Sequence, residues 1–164
     1  MHPRHHPPRR NTDEPTRLVA ILTALSQAPL PVLVPMHPCT RARIAEQGLQ
    51  ALLRSFTPYE LLGFLAMVLL ERQAALVVTD LGGVQKEAFP QGTPCVTVRR
   101  ETEWVELVEC GWNRLADPAD TADMLDAMQQ QLGLDPNQPR PQLYGDGYAA
   151  EAILARLQPG VDTP

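Results

Sequence analysis

A glycine pair directly after an apolar run constrains the fold of this chain more than any other feature. The run covers residues 74–79 and is followed by Asp80-Leu81-Gly82-Gly83. Its β-branched residues predict a buried parallel strand over residues 75–79, with a helix after Gly83. Glycines allow a positive φ and a close approach of backbone to ligand, and a helix start favours an anion. The segment therefore predicts either a phosphate cradle or an ordinary strand-to-helix turn, and the glycines alone leave both open.

Length and charge exclude several classes of protein. The chain has 164 residues, enough for one ordinary domain with its own core. Its net charge is −5 and its positive residues form no basic face, so nucleic acid is not an expected partner. No apolar run reaches the roughly 18 residues of a membrane span, because the longest candidate, residues 61–70, is closed by Glu71. We expect a protein that does not bind membranes.

The three cysteines and the two chain ends complete the predicted organisation. Cys39, Cys95 and Cys110 form no CxxC pair and leave one thiol over, which is typical of a reducing compartment and makes the cytoplasm the expected location. Residues 1–10 are rich in His, Pro and Arg without an apolar segment, so we expect a disordered tail with no metal site. Residues 158–164 are expected to form a flexible tail, which leaves one domain over residues 11–157.

Helical patterns alternate with short apolar runs along this domain. The patterns predict strands over residues 31–35, 75–79 and 94–98. They predict helices over residues 15–28, 40–47, 59–73, 118–132 and 149–157. Two more helices are expected, one after Gly83 and one that begins with a cap at Thr102. The side chains of Asn11 to Asp13 are candidate caps for the first helix. This alternation predicts an α/β, Rossmann-like, three-layer parallel sheet with right-handed crossovers.

Three polar segments follow directly after predicted strands. They are His37, the turn Asp80-Leu81-Gly82-Gly83, and Arg99-Arg100. Ligands of parallel sheets bind at the carboxyl ends of the strands, so we expect these segments to line one crevice.

Several motifs together carry a resemblance to a known family. They are Val77-Val78-Thr79-Asp80-Leu81-Gly82-Gly83-Val84-Gln85-Lys86-Glu87-Ala88, Gly92-Thr93-Pro94-Cys95-Val96-Thr97-Val98-Arg99, Glu101-Thr102-Glu103-Trp104-Val105-Glu106, Gly111-Trp112-Asn113, His37-Pro38 with Thr40-Arg41, Leu70-Glu71, and Tyr144-Gly145-Asp146-Gly147. In this order they resemble the non-hydrolysing UDP-N-acetylglucosamine 2-epimerases, and the resemblance spans residues 11–157.

The resemblance implies a GT-B enzyme of two Rossmann-like domains, of which this chain is similar to the C-terminal one. The implied reaction interconverts UDP-GlcNAc and UDP-ManNAc by elimination and re-addition of UDP, without a metal or redox cofactor. The C-terminal domain chiefly holds UDP, and the residues of proton transfer come mostly from the N-terminal domain. We therefore assign no catalytic residue to this chain and expect it to be inactive alone.

The resemblance also implies the residues that bind UDP. Gly82 and Gly83 present N–H groups to the pyrophosphate, Glu87 accepts hydrogen bonds from the ribose hydroxyls, Arg99 faces the cleft, and His37 borders the nucleotide. Each residue has a simpler alternative. For the two glycines it is an ordinary turn, and for Glu87 it is a solvated carboxylate at a helix start. For Arg99 it is an ion pair with Glu101 or Glu103, and for His37 it is a hydrogen bond at a strand end.

Buried roles are expected for two further residues of these motifs. Cys95 and Trp112 are assigned to the core.

Departures from the family pattern qualify the expected activity. Leu81 stands where the family usually has Ser, which removes a hydroxyl near the phosphates and is expected to lower nucleotide affinity about tenfold or more. Arg100 stands where Asp is usual, and the segment Pro7-Pro8-Arg9-Arg10 lacks the family's histidine.

Three functions remain open at the level of sequence. The chain is an epimerase domain that needs a separate N-terminal half, a non-catalytic module that binds UDP or a UDP-sugar, or a degenerate remnant that self-associates through exposed apolar surface.

Overall fold

Short parallel strands alternate with helices in the computed structural model, which describes residues 11–60, 62–135 and 137–157. The tails predicted at residues 1–10 and 158–164 lie outside the described residues. The helices are α1 (Pro15–Ser26), α2 (Pro38–Glu46), α3 (Phe64–Gln73), α4 (Gly82–Gln91), α5 (Val105–Glu109), α6 (Thr121–Leu132) and α7 (Ala149–Leu157). The strands are β1 (Val32–Pro35), β2 (Phe56–Tyr59), β3 (Val77–Thr79), β4 (Cys95–Thr97) and β5 (Asn113–Leu115).

All strand pairs in the described part of the chain are parallel. β1 pairs with β2, and β3, β4 and β5 form a second sheet in that order. The register aligns Thr79, Thr97 and Leu115, the last residues of the three strands. The carboxyl ends of β3, β4 and β5 therefore lie side by side at one edge of the sheet.

The two faces of β4 are covered by different helices. Val96 and Val98 pack with Ala24 of α1 and Met128 of α6 in one buried cluster. Side chains alternate between the faces of a strand, so Cys95 and Thr97 point the other way, towards α4. The arrangement is helix, sheet and helix, which confirms the predicted three-layer α/β fold.

Two further apolar clusters complete the core. Below β1 and β2, Leu18, Leu22, Met36, Ile44 and Phe56 are buried together. Around α4 and α5, Phe89, Leu107 and Trp112 form the third cluster. Each fully buried large side chain contributes roughly 1.5–3 kcal/mol relative to an exposed one. The core positions predicted for Cys95 and Trp112 are confirmed, since both are buried.

The helix predicted over residues 59–73 is wrong in its first part. Residues Phe56–Tyr59 form strand β2, and α3 begins only at Phe64. Pro58 lacks an N–H group. Among the described strands β2 pairs only with β1, so it is an edge strand, and edge strands tolerate proline. Strand β5 was not predicted either, because three residues between two turns give no measurable periodicity.

Helix starts also differ from the predictions. Asn11–Asp13 form a 3-10 turn, and Glu14 stands at the N-cap of α1 without a side-chain cap hydrogen bond, so the predicted caps of α1 are wrong. α2 begins at Pro38, because proline fits the first helical position. α6 begins at Thr121, since Asp120 accepts hydrogen bonds from the Ala122 and Asp123 amides and so caps the helix.

No helix within the described residues is both long enough and apolar enough to cross a lipid bilayer.

Candidate functional site

The turn between β3 and α4 leaves the start of α4 without a side-chain cap. The Leu81 amide donates a hydrogen bond to Thr79 Oγ1 at 3.0 Å, which fixes the turn. Leu81 occupies the N-cap position, and its apolar side chain provides no cap hydrogen bond. The first N–H groups of a helix have no acceptor within the helix, and they carry the positive end of its dipole. The start of α4 can therefore bind an anion.

Gly82 allows a close approach of the loop that follows β4. A Cβ atom at position 82 would collide with the Glu103 carboxylate and would lie 3.6 Å from Trp104 Nε1. Gly83 is more open, with Glu87 Oε1 at 3.8 Å from the position of such an atom. Neither glycine has a positive φ, so that part of the sequence expectation is wrong. Only Gly82 is limited by space, by the Glu103 side chain, whereas a Cβ at position 83 would make an ordinary contact.

Arg99 and Glu103 form an ion pair beside Gly82. Arg99 Nη1 donates to Glu103 Oε2 at 3.0 Å, while Glu103 Oε1 is the oxygen that faces Gly82. Of the two ion-pair partners considered from the sequence, Glu103 is therefore the one observed. Pairs with this much solvent access contribute little to stability. Their main effect is electrostatic, because a carboxylate stands at the start of α4.

A buried polar network fixes the loop against α4. Gln85 is 1% exposed, and its Oε1 accepts hydrogen bonds from Thr102 Oγ1 at 2.7 Å and from Asn113 Nδ2 at 3.1 Å. Asn113 Oδ1 in turn accepts from Thr97 Oγ1 at 2.9 Å. Thr102 Oγ1 also accepts from the Trp104 amide at 3.1 Å. Trp104 itself occupies the N-cap of α5 without a side-chain cap hydrogen bond, so the helix cap predicted at Thr102 is wrong. This network places Glu103 and Trp104 next to Gly82.

Asn11 ties the start of the domain to the same edge of the sheet. Its Nδ2 donates to Asp80 Oδ2 at 3.3 Å and to the Val98 carbonyl at 3.0 Å, and the residue is 8% exposed. Sequence reasoning assigned Asn11 to a helix cap and missed this role. Asn11 therefore holds the ends of β3 and β4 in a fixed relation.

Aromatic side chains hold Lys86 in the first half of α4. Lys86 Nζ lies 4.4 Å from the centre of a Trp104 ring and 4.3 Å from the Tyr144 ring, distances at which a cation is attracted to a ring face. The Tyr144 hydroxyl donates to Glu106 Oε1 at 2.9 Å. Burial and this contact with Glu106 raise the pKa of Tyr144, so the phenol keeps its proton.

Glu71 is a buried carboxyl group behind the site. It is 3% exposed, and within the described residues neither of its carboxyl oxygens has a hydrogen-bond partner. Burial, and to a smaller extent the charge of Glu87 on α4, raise the pKa of Glu71. Burial also raises the pKa of the Cys95 thiol to about 12. The sequence motif Leu70-Glu71 gave no sign of this burial.

His37 and Arg100 have other partners. His37 Nδ1 accepts a hydrogen bond from the Cys39 amide at 3.2 Å, which caps α2. Across the residues that the structure covers, no hydrogen bond or ion pair joins His37 to α4 or to Arg99. Arg100 pairs with Asp117 at 2.7 Å, and this partner lowers the pKa of Asp117. The structure thus gathers Gly82, Gly83, Glu87 and Arg99 around the start of α4, with His37 at a different helix.

A parallel sheet covered by helices on both faces, with a glycine pair where a helix follows the carboxyl end of a strand, defines a Rossmann-like α/β domain. A family model described as UDP-N-acetylglucosamine 2-epimerase matches residues 4–158. The chain therefore belongs to the UDP-N-acetylglucosamine 2-epimerase family, which confirms the resemblance read from its motifs.

Individual relatives agree with this assignment. The chain is 45% identical to a UDP-2,3-diacetamido-2,3-dideoxy-D-glucuronate 2-epimerase of Pseudomonas aeruginosa, over 90% of this chain and 41% of that protein. It is 33% identical to a UDP-N-acetylglucosamine 2-epimerase of Methanocaldococcus jannaschii, over 79% of this chain and 35% of that protein. The chain thus spans less than half the length of the curated relatives that it matches.

Solved structures show the same relation. The crystal structure of the Methanocaldococcus jannaschii UDP-GlcNAc 2-epimerase in complex with UDP-GlcNAc and UDP superposes with a TM-score of 0.79 at 31% identity, covering 90% of this chain and 42% of that one. An epimerase from Neisseria meningitidis bound to UDP-GlcNAc gives a TM-score of 0.66 at 26% identity. These neighbours have the GT-B fold, and this chain corresponds to their C-terminal domain.

Proposed function

We propose that this chain is the UDP-binding domain of a nucleotide-sugar 2-epimerase, with UDP held at the start of α4. The observation that carries the proposal is the uncapped helix start at Gly82 and Gly83, where Leu81 supplies no cap and the helix meets the carboxyl end of β3. The backbone amides there suit a pyrophosphate, which the helix dipole also attracts.

Glu87 is the residue proposed to bind the ribose of the same nucleotide. Its Oε1 lies 3.8 Å from the position of a Cβ on Gly83, so the carboxylate borders the proposed pyrophosphate site. A carboxylate offers only acceptors, which match the two hydroxyl donors of a ribose. Arg99 is proposed to contact the phosphates once it leaves Glu103. His37 remains a proposed border of the nucleotide, with the cap of α2 as its simpler role.

The contribution of this domain to epimerisation is to hold the leaving group. Elimination breaks the bond between C1 of the sugar and an oxygen of UDP, and negative charge develops on the β-phosphate. Fixed amides and a helix dipole aimed at that charge stabilise the transition state. We assign proton transfer at C2 to no residue of this chain, and we expect the chain to be inactive until a separate N-terminal domain completes the cleft.

The substrate sugar has two candidates. UDP-GlcNAc is favoured by the family and by the relatives named for it. A UDP-2,3-diacetamido uronate is favoured by the 45% identity to the Pseudomonas aeruginosa protein. Both share the UDP group that the proposed site binds, so UDP itself is the first probe.

Exposed apolar side chains on two helices are candidate contacts for the N-terminal domain. Ile153, Leu154 and Leu157 of α7 are exposed, as are Phe64 and Leu65 of α3. Such surface is typical of an interface. We propose a separate N-terminal domain as the occupant, and self-association as the alternative, which sedimentation of the chain alone would detect.

Calorimetric titration with UDP tests the binding function. We expect saturable binding by the wild-type chain and at least tenfold weaker binding by E87Q, since a hydrogen bond to a charged group is lost. Inorganic pyrophosphate has no ribose, so it should bind E87Q at least as tightly as the wild type. E109Q, at an exposed position on α5, is the matched control and should bind UDP like the wild type. Absence of heat at millimolar UDP would overturn the proposal.

Activity is tested by mixing the chain with a separately produced N-terminal domain of a relative. We expect conversion of UDP-GlcNAc, or of the diacetamido uronate, only in the mixture. Turnover by the chain alone would overturn the assignment of proton transfer to the other domain.

The cytoplasm is the proposed compartment. Cys39, Cys95 and Cys110 are free thiols in the structure, which is usual where thiols are kept reduced.

A further inference from the structure

We propose that the indole N–H of Trp104 donates a hydrogen bond to the diphosphate of the nucleotide. The inference rests on the proposed function, because it assigns one more contact to the same site. Trp104 lies outside the set of binding residues expected from the sequence.

The indole nitrogen of Trp104 is a buried donor without an acceptor. Among the described residues, Nε1 is shielded from solvent and has no hydrogen-bond partner. Buried donors are nearly always satisfied in native proteins, so an unsatisfied one needs an explanation such as a missing ligand. Trp104 Nε1 lies 3.6 Å from the position that a Cβ on Gly82 would take. The free donor therefore stands at the start of α4.

The Trp104 side chain is held in this position from several directions. Its own amide donates to Thr102 Oγ1, and Thr102 is bonded to the buried Gln85. Lys86 Nζ lies 4.4 Å from the centre of a Trp104 ring. Tyr144 packs edge-on against the indole with 6.2 Å between ring centres. A side chain fixed in this way cannot turn to another acceptor without breaking these contacts, and a preorganised donor binds a ligand at low entropic cost.

The donor replaces a contact that Leu81 cannot make. Leu81 has no polar atom in its side chain, whereas the Trp104 indole reaches the same helix start from the neighbouring loop. Glu103 now lies against Gly82 and must turn away when a diphosphate arrives. Glu103 is exposed, so its carboxylate can move into solvent.

Trp112 supplies an internal control. It is the second tryptophan of the chain, its Nε1 also lacks a partner in the described structure, and it is 2% exposed in the cluster with Phe89 and Leu107. None of the three atoms nearest to the position of a Cβ on Gly82 belongs to Trp112. An unsatisfied indole there is a packing feature of the core, and a ligand at α4 should leave it unchanged.

The test combines the W104F variant with NMR of the ¹⁵N-labelled full chain, in which the two indole N–H groups give separate signals. UDP should shift the Trp104 indole proton downfield and leave the Trp112 signal in place, with W104F assigning the two signals. W104F keeps an aromatic ring beside Lys86 and removes the donor together with the pyrrole ring that carries it. It should bind both UDP and inorganic pyrophosphate about tenfold to a hundredfold more weakly.

The outcomes separate this inference from the proposed function. If UDP binds the wild type while the Trp104 signal stays unmoved, or if W104F binds UDP as tightly as the wild type, the inference is overturned and the proposed function stands. If W104F weakens UDP but not pyrophosphate, the assignment to the diphosphate is overturned. Absence of UDP binding by the wild type overturns the proposed function. If W104F does not fold, the indole shift in the wild type decides.

Discussion

Arg99 and Glu103 form an ion pair at the start of α4, with 3.0 Å between Arg99 Nη1 and Glu103 Oε2. The second oxygen of Glu103 lies against Gly82. One carboxylate therefore occupies the space in front of a helix start that suits an anion, and it also pairs with Arg99. A nucleotide diphosphate must compete with this internal anion.

Removing the charge of Glu103 should strengthen nucleotide binding. Two unit charges about 4 Å apart in water interact by roughly 1 kcal/mol, so E103Q should bind UDP about fivefold more tightly than the wild type. The gain should shrink in 1 M salt, where the screening length is about 3 Å. Calorimetry at low and high salt measures both effects, with E101Q as an exposed control on the same loop. Weaker binding by E103Q would show that the carboxylate assists the ligand.

Leu81 offers a test by restoration of a hydroxyl group. Leu81 is 62% exposed, so its replacement leaves the core intact. L81S adds a donor beside the phosphates and should bind UDP about tenfold more tightly, as expected for one hydrogen bond to a charged group. L81A removes the bulk without adding the hydroxyl and should gain less. Equal affinities of L81S and L81A would mean that the hydroxyl makes no phosphate contact.

The buried network around Gln85 should carry measurable stability. Q85L leaves the donors Thr102 Oγ1 and Asn113 Nδ2 without their acceptor. Unsatisfied buried groups cost about 1–3 kcal/mol each, so the free energy of unfolding should fall by at least that amount. Urea denaturation measures the change, with Q129L on the exposed side of α6 as the control. A midpoint equal to that of the wild type would contradict the role of the network.

Local signals predicted the elements that build the site. The β-branched residues of β3 and the glycines after it are neighbours in sequence, so their pattern indicated a strand and a helix start without knowledge of the fold. β2 was missed because Pro58 interrupts a run of only four residues and three of these face solvent. Short strands of this kind depend on a partner strand that the sequence does not reveal.

The neighbours of Gly82 could not be predicted in the same way. Glu103 and Trp104 reach it because Thr102 bonds to Gln85, 17 positions away, and Asn113 bonds to Gln85 across 28 positions. Asn11 contacts Asp80 and Val98 across 69 and 87 positions. Such contacts follow from the packing of the whole domain. Their only trace in the sequence is a set of polar residues at otherwise apolar positions.

Glu71 makes the stability of the domain depend on pH. Burial and the charge of Glu87 raise the pKa of Glu71 above its ordinary value of 4.5. Below pH 4.5 this carboxyl is protonated in both the folded and the unfolded chain. As the pH rises, the unfolded chain releases the proton first, so the folded wild type loses stability through the range up to its raised pKa.

E71Q keeps a neutral group of similar shape and avoids this loss. Thermal unfolding should therefore give E71Q a midpoint near that of the wild type at pH 4 and a midpoint above that of the wild type at pH 8. E60Q, at an exposed position, should show no such divergence. A difference between E71Q and the wild type that is constant with pH, or that grows towards low pH, would contradict a raised pKa of Glu71 in the folded chain.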